Sequence, residues 1–186
     1  RRTGFLLKKI KDLYLKLFSL EIESKRQNLI SYYEQNEEKR IPVITNFLKE
    51  GSNVALVCDA GTPAISDPGF KLIRECIRQV IKVESIPGAS AVTSALVVSG
   101  LPTDKFLFAG FPPKKPGNRQ KYFKKLKRSK DDFKQTLIIF EAPHRFVKTL
   151  SEVRNIFGDI DAVITRELTK VFEEIKRDKL SNLIAY

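Results

Sequence analysis

Apolar residues recur along this chain at two spacings, and the alternation between them predicts the order of its elements. Leu6, Ile10, Leu13 and Leu17 fall three or four apart and predict a helix. Val43, Ile44, Phe47 and Leu48 predict another, with Pro42 opening it and Gly51 closing it. Asn53 to Asp59 is a short apolar, β-branched run that reads as a buried strand. It breaks into the loop Ala60-Gly61-Thr62-Pro63-Ala64-Ile65-Ser66-Asp67-Pro68-Gly69. Phe70, Ile73, Ile77 and Val80 then mark a helix, and Lys82 to Ile86 a strand ending in Pro87-Gly88. The small-residue segment Ala89 to Ser99 follows as a helix stopped by Gly100.

Strand, loop, helix, repeated, is the grammar of a parallel sheet with crossover helices, whose ligands bind beyond the carboxyl ends of the strands. Both special loops are therefore expected on one sheet edge. Residues 100–113 contain three prolines and two glycines and read as a hinge, dividing the chain into α/β lobes at 1–110 and 111–186. Around and beyond it, Phe106 to Phe111 predicts a strand, a basic helix follows, and Thr136 to Glu141 predicts another strand. Phe146, Leu150, Val153 and Phe157 stripe a helix ended by Gly158, and Ala162 to Arg166 is a strand again.

Composition narrows the class. Hydrophobic residues at 42% and charged residues at 30% suit a chain that buries a core. No apolar run approaches the roughly 18 residues that span a bilayer, and Arg1-Arg2-Thr3-Gly4 has no signal-peptide core, so a cytoplasmic protein without a membrane partner is expected. Cys58, Cys76 and the single His144 are too few and too scattered for a disulfide framework or a zinc site, so no metal is expected. Lys and Arg number 34 against 22 acids, a net charge of +12 that suits a phosphate backbone. The excess is concentrated in one run. Lys114, Lys115, Arg119, Lys121, Lys124, Lys125, Lys127, Arg128 and Lys130 occur with no acid among them, which points to RNA. Tyr122 and Phe123, inside that run, read as anchors to the core.

Three stretches offer chemistry. The loop from Asp59 to Gly69 allows close backbone approach to a ligand with carboxylates alongside, or forms an ordinary turn with Asp67 capping the next helix; spacing does not separate the two. No G-x-G-x-x-G or Walker pattern is present, so a dinucleotide or nucleoside triphosphate is not supported. Pro87-Gly88-Ala89-Ser90-Ala91 leads into a helix whose free N–H groups can meet a ligand, or whose Ser90 is only an N-cap. His144 lies between Glu141 and Arg145 at a strand-to-helix turn, where carboxylate, imidazole and guanidinium can meet. Arg145 suits a phosphate or carboxylate clamp. Arg166-Glu167-Leu168-Thr169-Lys170 carries opposite charges that either pair with one another or contact substrate.

In this order, the pieces resemble the tetrapyrrole methylase superfamily and, within it, the ribosomal RNA small subunit methyltransferase I family. Arg2-Thr3-Gly4 is similar to the end of that family's D-T-R-x-T segment. Asp59-Ala60-Gly61-Thr62-Pro63, Ile65-Ser66-Asp67-Pro68-Gly69 and Pro87-Gly88 resemble its central loops. Gly100-Leu101-Pro102 with Asp104, Gly110-Phe111, Glu141, His144-Arg145 and Arg166 to Lys170 resemble its later signatures.

The resemblance implies two α/β lobes in a homodimer, S-adenosylmethionine in the cleft between the lobes, and 2′-O-methylation of a cytidine ribose in 16S rRNA of the small ribosomal subunit. It implies cofactor contacts at Asp59, Ala60, Gly61, Thr62, Ile65, Asp67, Ser90 and Ala91, and also at Phe140, Thr165 and Arg166. Glu141, His144 and Lys170 are the candidates to take the ribose proton, through a Glu141–His144 pair or through Lys170. Lys114, Lys115, Arg119, Lys121, Lys124, Lys125 and Arg145 are expected on the RNA. Departures accompany the match. The family's first strand, with its P-x-G-N-L loop, is expected before Arg1 and its final strands after Tyr186. Tyr33 and Gln35 stand where many members carry histidines before Asn36-Glu37, and Asp12 to Ile22 reads as partly inserted. Two other readings stay open: a tetrapyrrole or diphthamide-pathway methyltransferase, and an inactive RNA-binding fragment.

Overall fold

The computed structural model describes the backbone of residues 4–8 and 28–186, and side chains from residue 29 onward. Ile10, Leu13 and Leu17, like the segment Asp12 to Ile22, lie outside the described residues. Leu6 does not. It falls in strand β1 (Gly4–Lys8), not in a helix. The chain forms two compact units, Arg1–Ser90 and Ala91–Tyr186.

In the first unit β1 is flanked by β2 (Asn28–Ser31) and β3 (Asn53–Leu56), all parallel, in the order β2-β1-β3. Leu6 pairs with Leu29 on one side and Ala55 on the other. Pairing on both edges is a long-range fact that helical spacing in the sequence cannot reveal. β3 is shorter than the expected Asn53 to Asp59 and only half-buried. Helix α1 (Glu37–Lys49) begins before Pro42, which lies inside it. Its start is set by Asn36, whose side chain accepts the Tyr33 N–H at 2.8 Å and donates to the Ser31 carbonyl at 3.0 Å. Glu37 and Glu38 face the positive end of the helix dipole and Lys49 the negative end. Gly51, at φ 85°, ends it: Ser52 N–H reaches the Phe47 carbonyl and Gly51 N–H the Leu48 carbonyl, the Schellman pattern.

Helix α2 (Phe70–Arg78) turns a different face inward than its apolar stripe predicts. Leu72 and Cys76 enter the core with Tyr32 and Ile44, while Phe70, Ile77 and Val80 are exposed. Residues 82–86 form no ladder and are not a strand, because no described segment lies beside them to accept their hydrogen bonds.

The second unit opens with α3 (Ala91–Ser99), stopped by Gly100 at φ 77°. The hinge expected near residue 110 thus lies inside this unit, at the exit of β4 (Phe106–Phe108). α3 sides with the later chain because Arg177 donates through Nε to the Val98 and Ser99 carbonyls, each at 3.2 Å. β4 pairs in parallel with β5 (Thr136–Ile138), and both strands stop short of their predicted ends. Between them runs the basic helix α4 (Pro116–Phe133). Helix α5 (Phe146–Phe157) ends at Gly158, φ 84°, as its pattern predicts. β6 (Asp161–Arg166) pairs with β7 (Glu174–Lys179), and α6 (Leu180–Ala185) follows. That pairing is antiparallel, unlike the parallel grammar of the rest, and forms a separate two-stranded sheet.

Candidate active site

The loop after β3 is held at three points. At its start, the Cys58 thiol donates to the Ala60 and Gly61 carbonyls at 3.3 and 3.4 Å. In its middle, the Thr62 hydroxyl donates to the Ala89 carbonyl at 2.9 Å, so this loop and the Pro87–Ser90 loop meet directly, although the second is not preceded by the strand expected at 82–86. At its end, Glu37 Oε1 accepts the Gly69 N–H at 3.1 Å and the Tyr32 hydroxyl at 3.0 Å, while Lys71 Nζ lies 3.5 Å from Oε2. Glu37 is 5% exposed, so this carboxylate is an internal cap to α2. It does what Asp67 was expected to do, since Gly69 is the N-cap of α2 and no side chain of its own caps that turn. Gly69 also has no room for a side chain: at φ 144°, a Cβ there would stand 2.8 Å from Leu56 Cδ2 and 3.2 Å from Ala64 Cβ.

Between these anchors the backbone takes left-handed turns at Gly61, Ala64 and Ser66. Positive φ at alanine and serine is costly and persists where the surroundings fix it. Asp59, Ala60, Gly61 and Ile65 are exposed on this loop, and Thr62 and Asp67 half-buried. Burial first, then the neighbouring Asp67 and Asp59 carboxylates, push the Cys58 thiol above its ordinary range. Ser90 closes the first unit and Ala91 opens α3 in the second.

In the second unit the strand-end residues are bound up with one another. Glu141 Oε1 accepts the Ala142 N–H at 2.7 Å and pairs with Arg145 at 2.5 Å, and its Oε2 accepts the Thr149 hydroxyl at 2.6 Å. The expected Glu141–His144 pair is absent. This carboxylate fixes the 3-10 turn Pro143–Arg145 on which His144 stands exposed. Arg145 is not a free clamp either, being paired to Glu141 with a further long contact to the Pro112 carbonyl at 3.4 Å. Phe140 is packed edge-on against Phe108 and Phe111 at centroid distances of 4.7 and 5.5 Å. Thr165 and Arg166 end β6; Arg166 pairs with Glu174 across the hairpin, and Lys170 with Glu167 at 3.0 Å within its turn.

On the basic helix, Arg119 is a correction. It is 2% exposed and grips Glu152 of α5 with two hydrogen bonds, Nε to Oε2 at 2.7 Å and Nη2 to Oε1 at 2.5 Å. Its spacing with Phe123 and Leu126 puts all three on the inner face. Phe123 is fully buried and the Tyr122 hydroxyl donates to the Ala109 carbonyl at 2.7 Å, so both aromatics anchor the helix. Lys114, Lys115, Lys121, Lys124 and Lys125 are exposed. Among the described residues no group of three or more His, Cys, Asp or Glu is placed to hold a metal, and no helix is long and apolar enough to cross a membrane.

Known proteins resemble this chain in sequence and in fold. The pattern of the family described as Tetrapyrrole (Corrin/Porphyrin) Methylases matches residues 7–184. A "Ribosomal RNA small subunit methyltransferase I" from Thermotoga maritima is 44% identical over 161 residues, covering 87% of this chain and 70% of the relative. Another of that name, from Micromonospora olivasterospora, is 39% identical over 186 residues, all of this chain and 57% of the relative. The chain thus spans little more than half of one relative and about two thirds of the other. Among solved structures, a diphthine synthase superposes with a TM-score of 0.65 at 18% identity, covering 98% of this chain and 74% of that one. The methyltransferase CobJ does so with 0.62 at 15%, covering 98% and 88%. At those identities the solved structures speak for the fold, and the sequence matches for the lineage: the chain belongs to the tetrapyrrole methylase family and, within it, to the ribosomal RNA small subunit methyltransferase I family of methyltransferases.

Proposed function

We propose that this chain carries the methyl-donor loops of an S-adenosylmethionine-dependent enzyme that methylates a cytidine 2′-hydroxyl in 16S rRNA. The observation that carries the reading is the Thr62–Ala89 bond, which joins the two loops most similar to the family's donor-binding segments. The residues suit such a donor. Asp59 has no ion-pair partner among the described residues, which leaves a carboxylate for ribose hydroxyls or an ammonium group, and the glycine-bearing backbone allows close approach. Once bound, S-adenosylmethionine supplies a methyl already activated on sulfonium. The chain's part is to align the ribose oxygen and receive its proton. Cys58 contributes by inertness: a thiol held above its usual pKa stays protonated, and a protonated thiol does not compete for the methyl group.

Of the three candidate proton acceptors, Glu141 has both oxygens engaged in holding its turn and Lys170 is paired with Glu167, so His144, exposed on that turn, is the proposed base. Glu141 and Arg145 are positioning residues for it. The working form is proposed to be a cytoplasmic homodimer, and the exposed Phe70, Ile77 and Val80 offer apolar surface that a second copy would cover. Titration calorimetry with S-adenosylmethionine, and methyl incorporation into 16S rRNA read by nucleoside mass spectrometry, test the reading. His144→Ala should abolish turnover with donor affinity intact, and Lys170→Ala should not. Absence of donor uptake by the unaltered protein would leave an RNA-binding fragment as the account.

A further inference from the structure

α4 divides into two faces. Arg119, Phe123 and Leu126 point into the second unit, and Lys121, Lys124, Lys125 and Arg128 remain exposed with no ion-pair partner among the described residues. Lys127 is neutralised by Asp131 at 2.8 Å. The unpaired cations run for about 10 Å along the helix, and Lys121–Lys125 and Lys124–Arg128 are like-charge pairs four residues apart, an arrangement that destabilises a helix unless something anionic covers it. Beside Lys124 and Arg128, α5 brings up Asn155 and Ile156, and the two helices enclose an open groove of about 370 Å³.

We infer that this groove, with the lysine face leading to it, is a binding site for the sugar-phosphate backbone of a folded RNA. It deepens the proposed function and rests on it only for the identity of the RNA. The chemistry fits each part. The Arg128 fork matches a phosphate bidentately, Lys121, Lys124 and Lys125 follow successive phosphates as point charges, and Asn155 offers an amide donor and acceptor to a ribose 2′-hydroxyl. A lipid surface fits less well, because a membrane-seeking helix needs its apolar residues outward, and Phe123 and Leu126 are buried in the core. The Lys127–Asp131 pair at the groove's lip leaves the net field positive.

The test uses the whole chain with a fluorescent RNA duplex of about 20 base pairs, the DNA duplex of the same sequence, and anionic vesicles, over a range of salt. Lys124→Gln with Arg128→Gln should weaken RNA binding roughly tenfold at low salt and flatten the slope of log K against log salt by about 1.5 to 2. Lys39→Gln with Lys49→Gln removes the same charge from α1 in the first unit and should leave that slope in place. Asn155→Ala should narrow the preference for RNA over DNA. An unchanged slope in the groove variant, equal losses in both double variants, or binding to vesicles in preference to RNA would each overturn the inference. The measurement stands apart from the donor titration, so a chain that takes up no S-adenosylmethionine yet shows the slope change would lose the enzyme reading and keep the groove.

Discussion

Glu37→Ala removes the carboxylate that ties β2, α1 and the end of the Asp59–Gly69 loop together. Two groups lose their partner, the Gly69 N–H and the Tyr32 hydroxyl, and the Lys71 ammonium keeps only Glu38, at 3.7 Å. The first two are buried, Tyr32 being 3% exposed, and each buried donor left unsatisfied costs about 1–3 kcal/mol. The Lys71 side chain is 43% exposed and regains water, so its share is below about 1 kcal/mol. Together these give a loss of about 3 kcal/mol, which lowers Tm by roughly 12–24 °C for a unit of this size. Glu37→Gln keeps one acceptor oxygen in place and should lose about half as much. The chain has no tryptophan, so urea unfolding is best followed by far-UV circular dichroism, with hydrogen exchange at the Gly69 amide as the local readout. That amide should exchange faster in both variants, and S-adenosylmethionine affinity should fall with it. A loss below about 1 kcal/mol with unchanged Gly69 exchange would refute the anchoring role.

The second unit has its own acid-sensitive tie. The Arg119 hydrogen bonds hold the Glu152 carboxyl below its ordinary range, so its contribution is full above the usual glutamate value of about 4.3 and is lost as pH falls through the lowered one. Thermal melts between about pH 5 and 2 should fall more steeply for the unaltered chain than for Glu152→Gln, and Glu152→Ala should cost about 3 kcal/mol at neutral pH by leaving a buried guanidinium unpaired. In the first loop, Asp67→Asn removes one of the charges that raise the Cys58 thiol, so alkylation of Cys58 by iodoacetamide near neutral pH should speed up; an unchanged rate would rule out Asp67 as a cause of the shift.

How much of this was legible in the residues depends on how local its cause is. The helix stops at Gly51, Gly100 and Gly158 could be read, because a left-handed C′ position is a property of the residue itself. The two special loops could be read for the same reason, glycine and proline announcing a departure from regular structure. Leu6 could not be placed, since helical spacing says nothing of neighbours on both edges. The segment Glu174–Lys179 carries five charges in six residues and shows no apolar alternation, yet it is a strand because β6 lies opposite. Arg119 resembles its cationic neighbours in the sequence, and only the Glu152 carboxylate, 33 positions later, turns it inward. Glu37 precedes the helix start expected at Pro42, and nothing near it in the sequence marks it as the cap of another helix 32 residues away.

The grip of Arg177 on the Val98 and Ser99 carbonyls closes a span of nearly the whole second unit, from its opening helix to its last strand. This tie therefore forms only after β7 has been synthesised, and a contact across some 78 positions is among those that close late in folding. A chain ending before Arg177 would lack the side chain that holds the Val98 and Ser99 carbonyls, and α3 would lose its tie to the last strand.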